Sequence, residues 1–397
     1  MTTPTETTAT VAVWRRRASL LALMLVVGVG MASWVTRTPA VRDAVDASTG
    51  QMGLILFGLS IGSMIGVIAS GPLVARLGTR PVIVTGTSLV VAGVAVIAVT
   101  TEANSGIGVF AGLFLFGLGG GLGEIGLNVE GAEVERQLGV PVLPMLHGFF
   151  SLGTVVGAIL GIIMTAIGFP VVWHLLAVAG VLALVVVWAV SGVPTGFGIT
   201  AARAGTPRGT TTRRSVWRER TVLLIGVIVL AMAFVEGAAN DWLPLLMVDG
   251  HGMSATWGSL IYTGFALMMT IGRFAGGPVV ERFGRGIVLR ASAIMAILGI
   301  LAVAYAPNMI IAAIAVALWG LGASLGFPVA ISAAGDTDDR ATERVSVVAT
   351  SGYLAFLVGP PLLGLLGEHW GLQQAMLIVA GVLVVAVIAT FALQQRR

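Results

Sequence analysis

A chain of 397 residues that is 57% hydrophobic and 10% charged has too little polar surface to cover a water-soluble globule of its size, and so belongs in a bilayer. Its 22 basic residues are all arginine against 18 acidic ones, and with no cysteine it has no disulfide, thiolate nucleophile or iron–sulfur cluster. Without lysine it has no Walker A loop, so an ion gradient rather than ATP is the expected energy source.

A window of about 20 residues, enough to carry a helix across about 30 Å of hydrocarbon, marks twelve spans, at 18–38, 51–73, 80–100, 109–132, 146–168, 171–191, 221–246, 256–278, 286–305, 309–333, 345–367 and 372–393. Backbone groups in lipid must bond internally, so the expected fold class is an all-α membrane protein with twelve transmembrane helices.

Residues 1–14 are Thr-rich and polar and read as a disordered cytoplasmic tail. Arg15, Arg16 and Arg17 precede span 1, which runs on to Trp34 and Arg37 without a small-residue cleavage site and is therefore a helix, not a signal peptide. Arg37, just ahead of Pro39, either snorkels to the outer interface or pairs with Asp241 or Glu236. Span 4 carries Glu124-x-x-x-Asn128, with Glu130 further on, in the cavity or at its inner rim. His147 opens span 5 in LHGFFSLG, as an interface residue or a ligand.

Span 5 then shows Gly153-x-x-x-Gly157-Ala158-x-x-Gly161, which reads either as small residues for close helix packing or as an antiporter-like motif with Ala158 in place of proline. The segment 192–220 holds six arginines against the single Glu219 and reads as a cytoplasmic linker between bundles at 15–191 and 221–397. Its role is tether and topology anchor, or docking on anionic lipid. Span 7 carries Glu236-x-x-x-Asn240, then Asp241 and Trp242, and span 8 carries Arg273, expected to snorkel towards the cytoplasm or join an inner gate.

The chain is written twice. GPLVARLG at Gly71 to Gly78 returns as GPVVERFG at Gly277 to Gly284, and FGLGGGLG at Phe116 to Gly123 returns as WGLGASLG at Trp319 to Gly326. Two matches at nearly one offset indicate a duplicated six-helix unit, the pattern of a secondary transporter. Arginines alternate along the spans so that the clusters at Arg15 to Arg17, Arg76 and Arg80, Arg136, the linker, Arg282 to Arg290, Arg340 and Arg344, and Arg396 and Arg397 fall on one side. By the positive-inside rule both termini are cytoplasmic, in an inner-membrane protein. Spread along membrane edges, these arginines are topology signals and no nucleic acid is expected.

Chemistry is expected where ionisable groups sit inside apolar spans. A carboxylate near the centre of a membrane helix costs about 2.5–3.5 kcal/mol on insertion scales, so it faces a cavity, pairs or titrates. Four-residue spacing sets Glu124 above Asn128, and Glu236 above Asn240, as polar stripes on one helical face. Neither stripe is repeated: Glu124 aligns with Phe327, and the counterpart of Glu236 to Asp241 is the small, uncharged run at Gly28 to Ser33. Duplication of a scaffold would have repeated them, which points to function. The four histidines are far apart, none at metal-ligand spacing. No metal or cofactor is expected.

Gly71, Leu73, Arg76, Gly78 and Arg80 between spans 2 and 3 resemble the signature loop of the major facilitator superfamily, with Ala75 in place of the usual acid. The second copy keeps an acid, as Glu281 with Arg282, Gly284 and Arg285. The resemblance implies two pseudo-symmetric six-helix bundles and an inner-gate charge network carried mostly by the C-terminal copy. Glu124-x-x-x-Asn128, LHGFFSLG and EGAANDW at Glu236 to Trp242 resemble, more finely, the fucose-galactose-glucose:proton symporters and the nearby rhizopine-type permeases. That likeness implies proton coupling at Glu124, to which the stripe argument adds Glu236, with a polyol-like solute held by Trp34, Asn128, His147, Asn240, Asp241 and Trp242. The branch's sugar symporters also use an acid in the first helix, where this chain has Val35 and Arg37. The expected function is a non-enzymatic, monomeric transporter of a small polar solute, by proton symport. The alternatives are proton-driven export of amphipathic or cationic compounds, and a ligand sensor that does not translocate.

Overall fold

The computed structural model describes residues 4–140, 142–199, 216–334 and 341–394, and among them every regular element is helical. In chain order these are α1 (Pro4–Val35), the short α2 (Thr38–Ala44), α3 (Thr49–Leu77), α4 (Thr79–Glu102), α5 (Gly106–Leu138), α6 (Leu143–Ala166), α7 (Val171–Val190), α8 (Arg220–Leu245), α9 (Ala255–Phe283), α10 (Arg285–Ala304), α11 (Met309–Ala334), α12 (Ala341–Trp370) and α13 (Leu372–Gln394). Eleven of them are long and apolar enough to cross a membrane. The remaining expected span, the eighth, is α9, which has 29 residues and the length to cross. It falls short in apolarity because Arg273, Trp257, Tyr262 and several glycines and threonines dilute its aliphatic residues. The chain is a multi-pass membrane protein.

One difference from the sequence reading has a simple cause. α1 begins at Pro4, so the helix runs back through most of the stretch expected to be a disordered tail. A proline at the first helical position costs nothing, and extending an existing helix through Thr, Ala and Val is far easier than nucleating one. In the linker, residues 192–199 are turns and residues 200–215 lie outside the described residues.

The residues group into two compact units, 1–47 with 55–207 and 48–54 with 208–397. The first turn of α3 thus groups with the second unit, where the Gly50 N–H donates to the Glu368 carboxylate (2.8 Å). In the first unit α1 packs on α6 and α7, and α4 on α5 and α7; in the second, α8 packs on α12 and α13, and α10 on α11 and α13. These are the same pairings under the duplication. They match in detail. A Cβ at Gly93 of α4 would lie 2.6 Å from Phe116 N of α5, and one at Gly299 of α10 would lie 2.6 Å from Trp319 N of α11. Gly78 and Gly284, equivalent in the repeat, open α4 and α10 at φ 86° and 77°, a conformation that glycine adopts without strain.

The glycines of α6 are packing residues. Cβ atoms at Gly28 and Gly153 would run into Phe150 O and Leu25 O respectively, and one at Gly157 would sit 2.5 Å from Val29 O. Only small residues let two membrane helices approach this closely. Gly157→Ala is therefore expected to destabilise the first unit by about 1–3 kcal/mol, because the clash is with backbone and no side chain is there to yield. A thermal unfolding scan of the purified protein in detergent checks this, and an unchanged midpoint contradicts it.

Candidate functional site

In the first unit, α5 turns its Gly117 and Gly121 faces against α3, and Gly119 and Gly126 against α4. Glu124 and Asn128 lie on the remaining side, Glu124 exposed and Asn128 half-buried. Among the described residues no donor meets the Asn128 side-chain oxygen, which is itself buried. His147, in the first turns of α6, is exposed. Trp34 is only 2% exposed, so its ring packs inside the unit instead of offering a flat face.

Arg37 and Glu130 are both held by partners within the first unit. Arg37 is buried, and its guanidinium donates to the Thr165 hydroxyl (3.1 Å) and to the Phe169 carbonyl. These acceptors lie at the C-terminal end of α6, where the helix dipole is negative. Arg37 is therefore held inside its own unit instead of snorkelling. Glu130 is a charge partner, but in the core: it is 0% exposed, ion-paired with Arg16 of α1 and hydrogen-bonded by the Thr79 hydroxyl at the start of α4. The Thr79 N–H in turn donates to the Phe197 carbonyl of the linker (2.8 Å), and the Arg16 guanidinium lies 4.8 Å from the centre of the Phe197 ring. This cluster sits beside the loop whose usual acid is replaced by Ala75.

The expected inner-gate residues lie at two equivalent turns. Gly71, Arg76, Glu281 and Arg282 are exposed, Gly78 is buried, and Arg80 and Arg285 are half-buried. Among the described residues none of Arg76, Arg80, Glu281 and Arg282 forms an ion pair, and Arg282 lies over the ring of Phe283 (5.4 Å). Exposed charges gain little from pairing in water.

In the second unit, Glu236 and Asn240 are half-buried on one face of α8, while Asp241 and Trp242 turn inward at 8% and 0% exposure. Two residues of α9 complete the group. Arg273 pairs with Glu236 (2.9 Å), and the Tyr262 hydroxyl donates to the Asn240 side-chain oxygen (3.2 Å). Tyr262 stacks in turn on Phe265, which meets Trp319 edge-on. Neither Arg273 nor Tyr262 was placed at the site from sequence. The signal for Arg273 was present, since an intramembrane cation needs an acid. A double-mutant cycle with Glu236→Gln and Arg273→Gln is expected to give about 1–3 kcal/mol of coupling in unfolding free energy; additive losses would show that the pair is not energetically joined.

Each unit by itself offers a carboxylate and an amide inside apolar helices, and the second adds an arginine and a phenol, the kinds of donor and acceptor that hydroxyl-rich ligands require. The family model of the Major Facilitator Superfamily matches residues 19–337 and 242–397. An uncharacterized MFS-type transporter of Yersinia pestis is 28% identical over 361 residues, covering 89% of this chain and 90% of the relative. Among solved structures, a D-xylose-proton symporter superposes with a TM-score of 0.77 at 13% identity, over 95% of this chain and 97% of the other. The fucose:proton symporter of E. coli, in a point-variant form, superposes at 0.64 with 20% identity, over 94% of this chain and 97% of the other. At these identities the two structures speak for the fold alone.

Proposed function

Because the chain belongs to the Major Facilitator Superfamily and is thus a transporter and not an enzyme, we propose that it imports a small sugar- or polyol-like solute by alternating access, coupled to proton symport. The observation that carries this reading is Glu124: a carboxylate midway along an apolar helix, left exposed on the side of α5 that its neighbours do not cover, one turn from Asn128. Glu124 is the proton-coupled group, and Asn128, His147 and Asn240 supply hydrogen bonds to hydroxyls. Trp34 and Trp242 back the site from within their units. Glu236, held by Arg273, joins the coupling by exchanging that cation for a proton. The turns at Gly71 to Arg80 and at Glu281 to Arg285 form the inner gate, both termini are cytoplasmic, the membrane is the inner one, and the working form is a monomer.

The sugar-proton symporters of like fold support the choice of solute by analogy. Export is the less favoured direction, since the glycine stripe of α6 that resembled an antiporter motif is accounted for by packing on α1. The test is uptake of labelled hexoses and inositols into proteoliposomes under pH gradients of each sign. Accumulation that follows inward proton movement supports the proposal. Extrusion of dyes or cationic drugs indifferent to polyols overturns it.

A further inference from the structure

Asp241 has no counterpart to the arrangements that keep the other intramembrane acids tolerable. Glu130 has Arg16 and Thr79, Glu236 has Arg273, and Glu124 lies exposed. Asp241 is 8% exposed and, among the described residues, meets neither a cation nor a hydrogen-bond donor. Beside it the Trp242 indole N–H is buried and, among the described residues, meets no acceptor, so the neighbouring donor does not turn to Asp241.

The elements packed on α8 bring no remedy. α11 and α13 carry no ionisable group among their described residues. On α12, whose described side chains begin at Arg344, Arg344 pairs with Glu219, Glu368 accepts from Gly50, and Tyr353 and His369 are the other titratable groups among those described. On α9, Arg273 pairs with Glu236, Glu281 and Arg282 are exposed at its end, and Tyr262 lies within electrostatic reach of both Asp241 and Glu236 while its hydroxyl donates to Asn240. The short segment Leu246–Gly250 that continues α8 adds only Asp249, another acid, and the turn Val216–Arg218, packed at the opposite end of α8, adds only the exposed Arg218.

A bare carboxylate buried in this way costs several kcal/mol, and the usual resolution is to neutralise it. We infer that Asp241 is the proton-binding group of the second unit, loaded with its proton in the arrangement described here. The charge balance then closes locally: Glu236 and Arg273 cancel, and a protonated Asp241 is neutral. Release of that proton leaves a second carboxylate about 7.5 Å from Glu236 along the helix axis, with Tyr262 within electrostatic reach of both. This inference rests on the transport reading only for the use made of the proton, and its test needs no substrate.

The test is infrared spectroscopy of the full-length protein in liposomes near neutral pH, in H2O and D2O. The expected result is a carbonyl stretch of a protonated carboxylic acid that shifts in D2O, loses intensity in Asp241→Asn and keeps it in Glu236→Gln. Asp241→Glu retains the band at a shifted position, which covers the case in which the asparagine variant does not fold. A band absent from the wild type, or unaltered in both Asp241→Asn and Asp241→Glu, overturns the inference. If the band behaves as expected and no sugar or inositol is taken up, the solute assignment fails while the assignment of Asp241 stands.

Discussion

Glu124→Gln is expected to reduce accumulation driven by a proton gradient at least tenfold while leaving counterflow of the same solute measurable. Glutamine keeps the length of the side chain and its capacity to hydrogen-bond a hydroxyl, but it carries no exchangeable carboxylic proton. Binding and turning of the carrier survive such a change, and the link to the proton does not. Glu124 suits the role because it is exposed in mid-span and stands one turn from Asn128. Equal loss of accumulation and counterflow would make Glu124 a binding residue only. Undiminished accumulation would remove it from the coupling step.

The second large effect is structural. Glu130→Ala is expected to cost about 3–5 kcal/mol of stability, because it leaves the Arg16 guanidinium, 7% exposed, buried without its counter-ion. Arg16→Met combined with Glu130→Leu is expected to recover much of that loss, since an apolar pair of similar volume replaces both charges and no desolvated ion remains. Thermal unfolding of the three variants beside the wild type reads the result. A single variant that unfolds with the wild type would mean that water reaches Arg16 once Glu130 is gone. The same cluster anchors the linker through Phe197, so the single variant is also expected to expose the 192–199 turn to proteolysis.

What the sequence made legible was whatever is local or repeated. Apolar runs of about 20 residues mark the spans, the pair Gly78 and Gly284 marks equivalent turns, and the offset between Phe116 and Trp319 anticipates equivalent helix contacts. The Glu-x-x-x-Asn stripes were legible for the same reason, since i and i+4 lie on one face whatever the helix packs against. Partnerships over distance were not. Glu130 and Arg16 are 114 residues apart, and Arg16 stands in a run of three arginines that sequence alone cannot tell apart. Only the packing of α1 turns Arg16 inward, while Arg15 reaches Ser191 and Arg17 reaches Met145. Arg37 was read for its charge, but its acceptors are a hydroxyl and a backbone carbonyl that carry no charge to be read. Asp241 follows Asn240 directly, and the 100° between adjacent positions separates a half-buried amide from a buried acid.

The central claim is that Glu124 and Asn128 line a water-filled chamber that receives the solute. A chain without cysteine allows this to be read from one introduced thiol. With Asn128→Cys in proteoliposomes, a membrane-impermeant maleimide is predicted to label the protein, and the transported sugar or inositol to slow the labelling. A thiol at that position that stays unlabelled in the folded protein, yet reacts once it is denatured, would place the stripe against lipid or within the core and contradict the account.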